Sequence, residues 1–281
     1  MKIFQVLYSY IGIKILNLFK LKGLKNVLRG VFLKKGVILF GVGFIIAVSS
    51  LFIIRNEIAG ANTIPSVIRS SEVIADVPKG AVLYDNIEGK AVNLILSGQK
   101  VEILKDRGGE WYYVKYKEQK GWVKAVTLDI PPDRSTNTSV LSDSVILDYA
   151  NRELESKTNH FVWVDIDRQR VYVLKGETGN WSIEKRIVCA TGRNKTPTVR
   201  GTFETGDRGQ WFYSERLNSG AMYWVRFDGS YLFHSVAMDK DKNITDNVLG
   251  KRRSSGCVRM SVEDAKWFFE NIEAGTGVWV Y

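Results

Sequence analysis

AMYWVRFDGSYLFHS, residues 221–235, holds two apolar strand runs, AMYWVRF and YLFHS. The second run ends on His234, which fixes the imidazole at the exposed end of a rigid element. Successive strand residues point to opposite faces, so of Tyr223 and Trp224 one faces a cleft and the other a core. The β signal continues around this pair. HFVWVDIDRQRVYVLKG (160–176) reads as two strands about an Asp-Arg-Gln turn, followed by WSIEKRIVCATG (181–192) and GTFET (201–205). After SSGCVRM (254–260), Ser261 and Asp264 are spaced for a helix N-cap. Val262, Ala265, Phe268, Phe269 and Ile272 supply the helical stripe, and Gly275 and Gly277 lead into a last strand, VWVY. Residues 160–281 therefore read as a mainly β domain with one helix after Cys257.

Upstream, residues 75–130 form a second, smaller β unit. AVLYD, AVNLIL, KVEILKD, EWYYVKY and KGWVKAV alternate apolar and polar residues, and Gly89, Gly98, Gly108, Gly109 and Gly121 punctuate them. Residues 131–159 read as a polar connector with one short helix around 145–154. Residues 55–74 read as a linker.

The charge is uneven. Residues 1–55 carry nine Lys/Arg and no Asp or Glu, so most of the net charge of +10 belongs to the N-terminal segment. That locality argues against a nucleic-acid partner. Residues 36–54 contain an uncharged run of 18 residues, VILFGVGFIIAVSSLFII, long enough at 1.5 Å per residue to cross a hydrocarbon core of roughly 27 Å. The expectation is one N-terminal transmembrane helix. Residues 1–35 would form a basic cytosolic segment lying on the inner leaflet, with everything after about residue 55 outside. The rival readings are a signal peptide cut near Ala59-Gly60-Ala61 and a second span in residues 3–19.

Two cysteines and two histidines exclude a disulfide scaffold and argue against a zinc site; no metal and no cofactor is expected. A free cysteine has a pKa of about 8.5 and needs a base or a positive field to become a nucleophile. Gly256, before Cys257, lets the backbone approach a substrate and, with Cys257, offers amides to a developing oxyanion. From the residues alone the pair stays open, because a lone cysteine is more often a small buried hydrophobe and a lone histidine more often structural.

Three runs in order, TPTVRGTFETGDRGQWFY (196–213), AMYWVRFDGSYLFHS (221–235) and SSGCVRM (254–260), resemble the L,D-transpeptidase catalytic domain of bacterial cell-wall synthesis. The resemblance covers about residues 160–281. Residues 80–125, with the Gly-Glu-Trp-Tyr turn and the late Gly-Trp-Val, resemble a bacterial SH3-like domain. Together they imply a mainly β chain. It would hold an L,D-transpeptidase-type β-sandwich, a small SH3-like β-barrel and the N-terminal membrane helix. The implied activity is a cysteine-dependent transfer on peptidoglycan stem peptides. Cys257 would be the nucleophile, releasing D-alanine from a tetrapeptide stem and passing the acyl group to a second stem in a 3→3 cross-link. Water as acceptor would give a carboxypeptidase; a non-catalytic wall-binding protein and a sortase-like enzyme are the other readings.

The resemblance also assigns roles. His234 would be the base, oriented by the carbonyl of Ser235, and the Gly256 and Cys257 amides would form the oxyanion hole. Arg259, Ser255, Tyr213, Tyr223 and Trp224 would contact the substrate. Ser255 stands where the family often has histidine, which leaves His234 as the only base in the motif. The nineteen residues between His234 and Ser254 are longer than usual and charged, and read as a solvated loop beside the cleft. Lys251, Arg252 and Arg253 are either attractors of stem carboxylates or solvated charge. Cys189 reads as a buried thiol, His160 as exposed and idle, and Thr196 to Thr198 as a structural turn. Trp111, Tyr112 and Trp122 either stack on a ligand or fill the small domain. The sequence leaves the oligomeric state unknown.

Overall fold

The computed structural model describes residues 66–281; the expected cytosolic segment and membrane helix lie outside the described residues. Among the described residues no helix is long and apolar enough to cross a membrane.

The small domain is an antiparallel sheet of six strands: β1 (Val73–Val77), β2 (Ala81–Tyr84), β3 (Ala91–Ile95), β4 (Gln99–Arg107), β5 (Trp111–Tyr116) and β6 (Gln119–Lys124). Their spatial order is β1-β4-β5-β6-β2-β3. β1 begins inside the stretch expected to be linker. Val73, Ala75 and Val77 alternate inward and pack with Val101 and Ile103 of β4, so the strand is needed to close the core. Gly108 and Gly109, with φ of 66° and 77°, make the tight turn from β4 to β5.

The large domain has two sheets. One has the order β10-β17-β7-β8-β9, from β7 (His160–Asp165), β8 (Arg170–Glu177), β9 (Asn180–Val188), β10 (Gly201–Glu204) and β17 (Gly277–Val280). The other has the order β15-β14-β12-β13-β16, with β11 (Arg208–Ser214) pairing onto β12 (Ser219–Asp228). Its remaining strands are β13 (Tyr231–Ser235), β14 (Ala237–Met238), β15 (Ile244–Asp246) and β16 (Val258–Met260). Between the sheets Val162, Val164, Val171 and Val173 meet Val225, Phe227, Phe233, Val258 and Met260.

There are two α-helices among the described residues, one in the connector and one after the Cys motif, at the places where the sequence reads as helical. α1 (Asp143–Glu153) lies in the connector, N-capped by Ser142, whose Oγ accepts from the Val145 amide at 3.4 Å. Its Ile146, Tyr149 and Ala150 cover the outer face of the first sheet, against Phe161, Trp163 and Trp279. Tyr149 stacks on Trp279 with centroids 4.8 Å apart. The connector is thus part of the large domain's core. It also explains HFVWVD: β7 is buried on both faces, so its apolar residues run on without alternation. α2 (Val262–Asn271) follows β16 directly. Ser261 caps it through the Asp264 amide at 3.0 Å, and Phe268 packs on Phe233 at 4.6 Å.

His160 corrects its reading. It is buried, and its Nε2 lies 2.9 Å from Glu184, a residue of β9 that also meets Lys175.

The two domains are bonded to each other. Arg200 reaches from the large domain to Ser70 Oγ at 2.8 Å and pairs with Glu102 of β4. Tyr112, buried in the small core, donates its hydroxyl to the Lys195 carbonyl at 2.8 Å, so it is a tie between domains and has no face left for stacking. Trp111 is buried as well, whereas Trp122 is half-buried against Tyr113 at 5.2 Å. Arg200→Ala leaves the Glu102 carboxylate partly buried without its partner, and we expect a loss of about 1–3 kcal/mol. A urea melt of the full chain with an unchanged midpoint would show that this tie is dispensable.

Candidate active site

β13 and β16 lie side by side in parallel, with Phe233 opposite Val258 and His234 opposite Arg259. Phe233 and Val258 are both fully buried in the core. The period of two then sends Leu232, His234, Cys257 and Arg259 to the other face. All four line one cavity of about 400 Å³. On β12 the same alternation places Val225 and Phe227 in the core, and Trp224 and Arg226 in the cavity.

The loop carrying Cys257 is held from three sides. Ser254 is buried; its Oγ donates to the Cys257 carbonyl at 2.5 Å and accepts the Gly256 amide at 3.1 Å. Thr198 Oγ1 donates to the Gly256 carbonyl at 2.7 Å, and Thr196 Oγ1 to the Ser254 carbonyl at 3.1 Å. The Thr-Pro-Thr turn therefore clamps the Cys257 loop. Gly256 has φ of 115°, and a Cβ there would stand 2.7 Å from the Tyr231 ring, so no other residue fits without displacement.

His234 is buried, and its Nδ1 lies 2.6 Å from the Ser235 carbonyl. A carbonyl only accepts, so Nδ1 carries the proton and neutral Nε2 keeps its lone pair. Burial holds the imidazole down at about 4, against the Ser235 bond, with the Arg259 charge acting in the same direction as burial. Phe212 packs edge-on against the ring at 5.4 Å. Burial likewise pushes the Cys257 thiol up to about 11, despite the Leu232 amide and the charges of Arg259 and Arg226. At pH 7 the resting pair is thus a neutral thiol and a neutral imidazole. The thiol points to the Ser230 carbonyl at 3.7 Å.

Arg216, Arg226 and Arg259 line the cavity, and among the described residues no carboxylate does. Asp246 accepts from Arg259 at 3.0 Å and from Arg253 at 2.9 Å. Asp246 lies in the stretch expected to be a solvated loop. That stretch instead forms the β14–β15 hairpin, turned about Asp239, and the hairpin sets Arg259 in place. Lys251 and Arg252 line a separate cavity with residues 133–138 of the connector, away from Cys257.

Of the residues expected at the site, Cys257, His234, Ser255, Arg259 and Trp224 line the cavity, and the Ser235 carbonyl holds the imidazole. Three do not stand as expected. The Gly256 amide is engaged by Ser254. Tyr223 turns to the core side against Phe269, because it has the parity of Val225. Tyr213 bonds Asn218 at 2.6 Å and lies under Lys240, while its neighbour Phe212 faces the cavity. Sequence reasoning left Phe212 open between core and lid, and it missed Ser254, Arg216, Arg226 and Ser230. Only Ser254, adjacent to the Cys motif, carried a local signal. Cys189 is a fully buried free thiol.

A thiol raised to about 11 is thiolate at only about one part in ten thousand at pH 7. Iodoacetamide alkylation of Cys257 should therefore climb with pH through 9 to 11. A rate already on a plateau below pH 7 would mean a thiolate–imidazolium pair.

Residues 159–280 match the model of the L,D-transpeptidase catalytic domain, and residues 86–129 that of the bacterial SH3 domain. The curated protein named "Putative L,D-transpeptidase YciB", from Bacillus subtilis (strain 168), is 37% identical over 128 residues. That alignment takes in 42% of this chain and 64% of the relative, so the chain spans less than two thirds of that protein. Among solved structures, a fused Zn-dependent amidase/peptidase/peptidoglycan-binding domain-containing protein from Clostridium acetobutylicum ATCC 824 is 29% identical, with a TM-score of 0.43. It covers 52% of this chain and 66% of its own. An L,D-transpeptidase from Stackebrandtia nassauensis is 22% identical, with a TM-score of 0.36, over 50% of this chain and 67% of its own. The family matches, and not these superpositions, carry the assignment: the chain contains an L,D-transpeptidase catalytic domain over residues 159–280 and a bacterial SH3 domain over residues 86–129.

Proposed function

We propose that the chain is a membrane-anchored L,D-transpeptidase that forms 3→3 cross-links between peptidoglycan stems through a Cys257 thioester. The observation that carries the reading is the cavity shared by Cys257 and His234, with Nδ1 tied to the Ser235 carbonyl and Nε2 left as acceptor.

In this reading the Cys257 thiol turns from the Ser230 carbonyl and gives its proton to His234 Nε2 as sulfur attacks the carbonyl between the third residue and D-alanine. The neutral resting pair suits this route, since proton transfer and attack occur together and no buried ion pair stands beforehand. With the Gly256 amide engaged, the Cys257 amide is the remaining donor of that pair for the oxyanion. The C–N bond breaks, the imidazolium returns its proton to the departing amine, and D-alanine leaves. An amine of a second stem then attacks the thioester; its proton passes through His234 to sulfur. Arg216, Arg226 and Arg259 suit the carboxylates of the stem. The placement of residues 66–281 outside the cell rests on the basic segment 1–35 before the apolar run.

Full chain incubated with tetrapeptide stems should release D-alanine, read by mass spectrometry. Cys257→Ala should abolish release, and His234→Gln should lower it by about 10²–10⁴-fold. Equal release by Cys257→Ala would sink the reading, as would none by the wild type. For topology, protease added to intact cells should degrade the catalytic domain; a protected domain would refute the outside placement.

A further inference from the structure

The space around Cys257 does not end at the catalytic domain. A second cavity of about 520 Å³ adjoins it. One wall is the β4–β5 turn of the SH3 domain, with Asp106, Arg107 and Glu110; the other is Arg216, Ser230 and Ser255. Those last three line the first cavity too. The Ser230 carbonyl is where the Cys257 thiol rests, and Ser255 stands two residues before the nucleophile. The two cavities therefore meet at the rim of the sulfur.

The SH3 wall is fixed in place. The turn is closed by the Glu110 amide on the Arg107 carbonyl at 3.3 Å, and the Glu110 carbonyl takes the Ala125 amide at 2.8 Å. The domain itself is tied down by Arg200 and Tyr112.

The charges of the two cavities differ. Among the described residues three arginines and no carboxylate line the Cys257 cavity, with Arg226 paired to Asp207 and Arg259 to Asp246 behind it. The second cavity sets two carboxylates, Asp106 and Glu110, beside two guanidinium groups, Arg107 and Arg216. Among the described residues none of these four sits in an ion pair within 4.0 Å. A chamber with both signs available complements a ligand that carries both an ammonium and a carboxylate.

We propose that this chamber is the acceptor subsite. The SH3 turn forms its acidic wall and receives the amine-bearing, zwitterionic end of the second stem. The proposal rests on the transpeptidase reading. The acceptor enters as an ammonium and loses one proton to solvent. Its nitrogen then attacks the thioester carbon, the C–N bond forms, the C–S bond breaks, and the second proton reaches sulfur through His234. The SH3 domain is then part of the substrate cleft rather than a spacer.

The test uses the full chain with a tetrapeptide donor and a tripeptide stem bearing a free amine. The Asp106→Asn/Glu110→Gln double variant should raise KM for the amine about tenfold, with kcat at saturating amine within about twofold. An unchanged KM, or a fall in kcat alone, overturns the proposal. A second measurement does not need turnover. The tripeptide is titrated onto the Cys257→Ala chain while the Gly108 and Gly109 amide resonances are followed. Shifts lost in the Cys257→Ala/Asp106→Asn/Glu110→Gln chain support the chamber even if the wild type releases no D-alanine, in which case the transpeptidase reading alone fails. No shift at either glycine overturns the chamber.

Discussion

The parallel pairing of β13 with β16 is the constraint on which the site depends. Parallel neighbours cannot be joined by a tight turn; the chain must leave the first strand's end and return to the second strand's start. The 22 residues between His234 and Cys257 make that return. They are not idle length, because the hairpin built from them places Asp246 against Arg259 and Arg253. Register does the rest. With Phe233 and Val258 committed to the core, His234, Cys257 and Arg259 have one face left to occupy. A slip of one residue would bury Cys257 and send Val258 to the cleft.

Around that pairing the chain restrains the Cys257 loop by hydrogen bonds to backbone. Ser254, Thr196 and Thr198 take up the carbonyls or amides of residues 254–257, and Tyr231 leaves space for a glycine alone at 256. Backbone groups that are paired in this way cannot also serve substrate, which is why the Gly256 amide does not stand free. The same enclosure sets the electrostatics. Burial favours the uncharged form of both the thiol and the imidazole, and the Ser235 carbonyl selects the tautomer. Of the three arginines that line the cavity, Arg226 pairs with Asp207 and Arg259 with Asp246.

The connection between domains follows the same economy of few, well-placed contacts. One arginine and one tyrosine hydroxyl hold the SH3 domain with its β4–β5 turn facing the catalytic cleft. The connector that joins the two domains is itself structural, since α1 covers the outer face of β7 and fills the space around Trp163 and Trp279.

Much was legible in the sequence. Alternation in AMYWVRF and YLFHS, the cap at Ser261 and the run SSGCVRM are local signals, and local signals are set by neighbours along the chain. From these came the β character, the helix after the motif, and Cys257 with His234 as the pair to watch. What the sequence left open was every choice between two faces or two partners. Tyr223 or Trp224 in the cleft, Tyr213 or Phe212, and the use of the Gly256 amide each depend on which sheet lies opposite. His160 read as exposed because its partner Glu184 lies on another strand. The arginines of the cleft come from positions 216, 226 and 259, far apart in the chain, and no periodicity joins them. The sequence by itself determined which residues can form strands and which carry reactive groups, because both follow from side-chain type and spacing. Only the tertiary structure decided which of those groups share a cavity, because parallel register and inter-sheet packing bring together residues that the chain keeps apart.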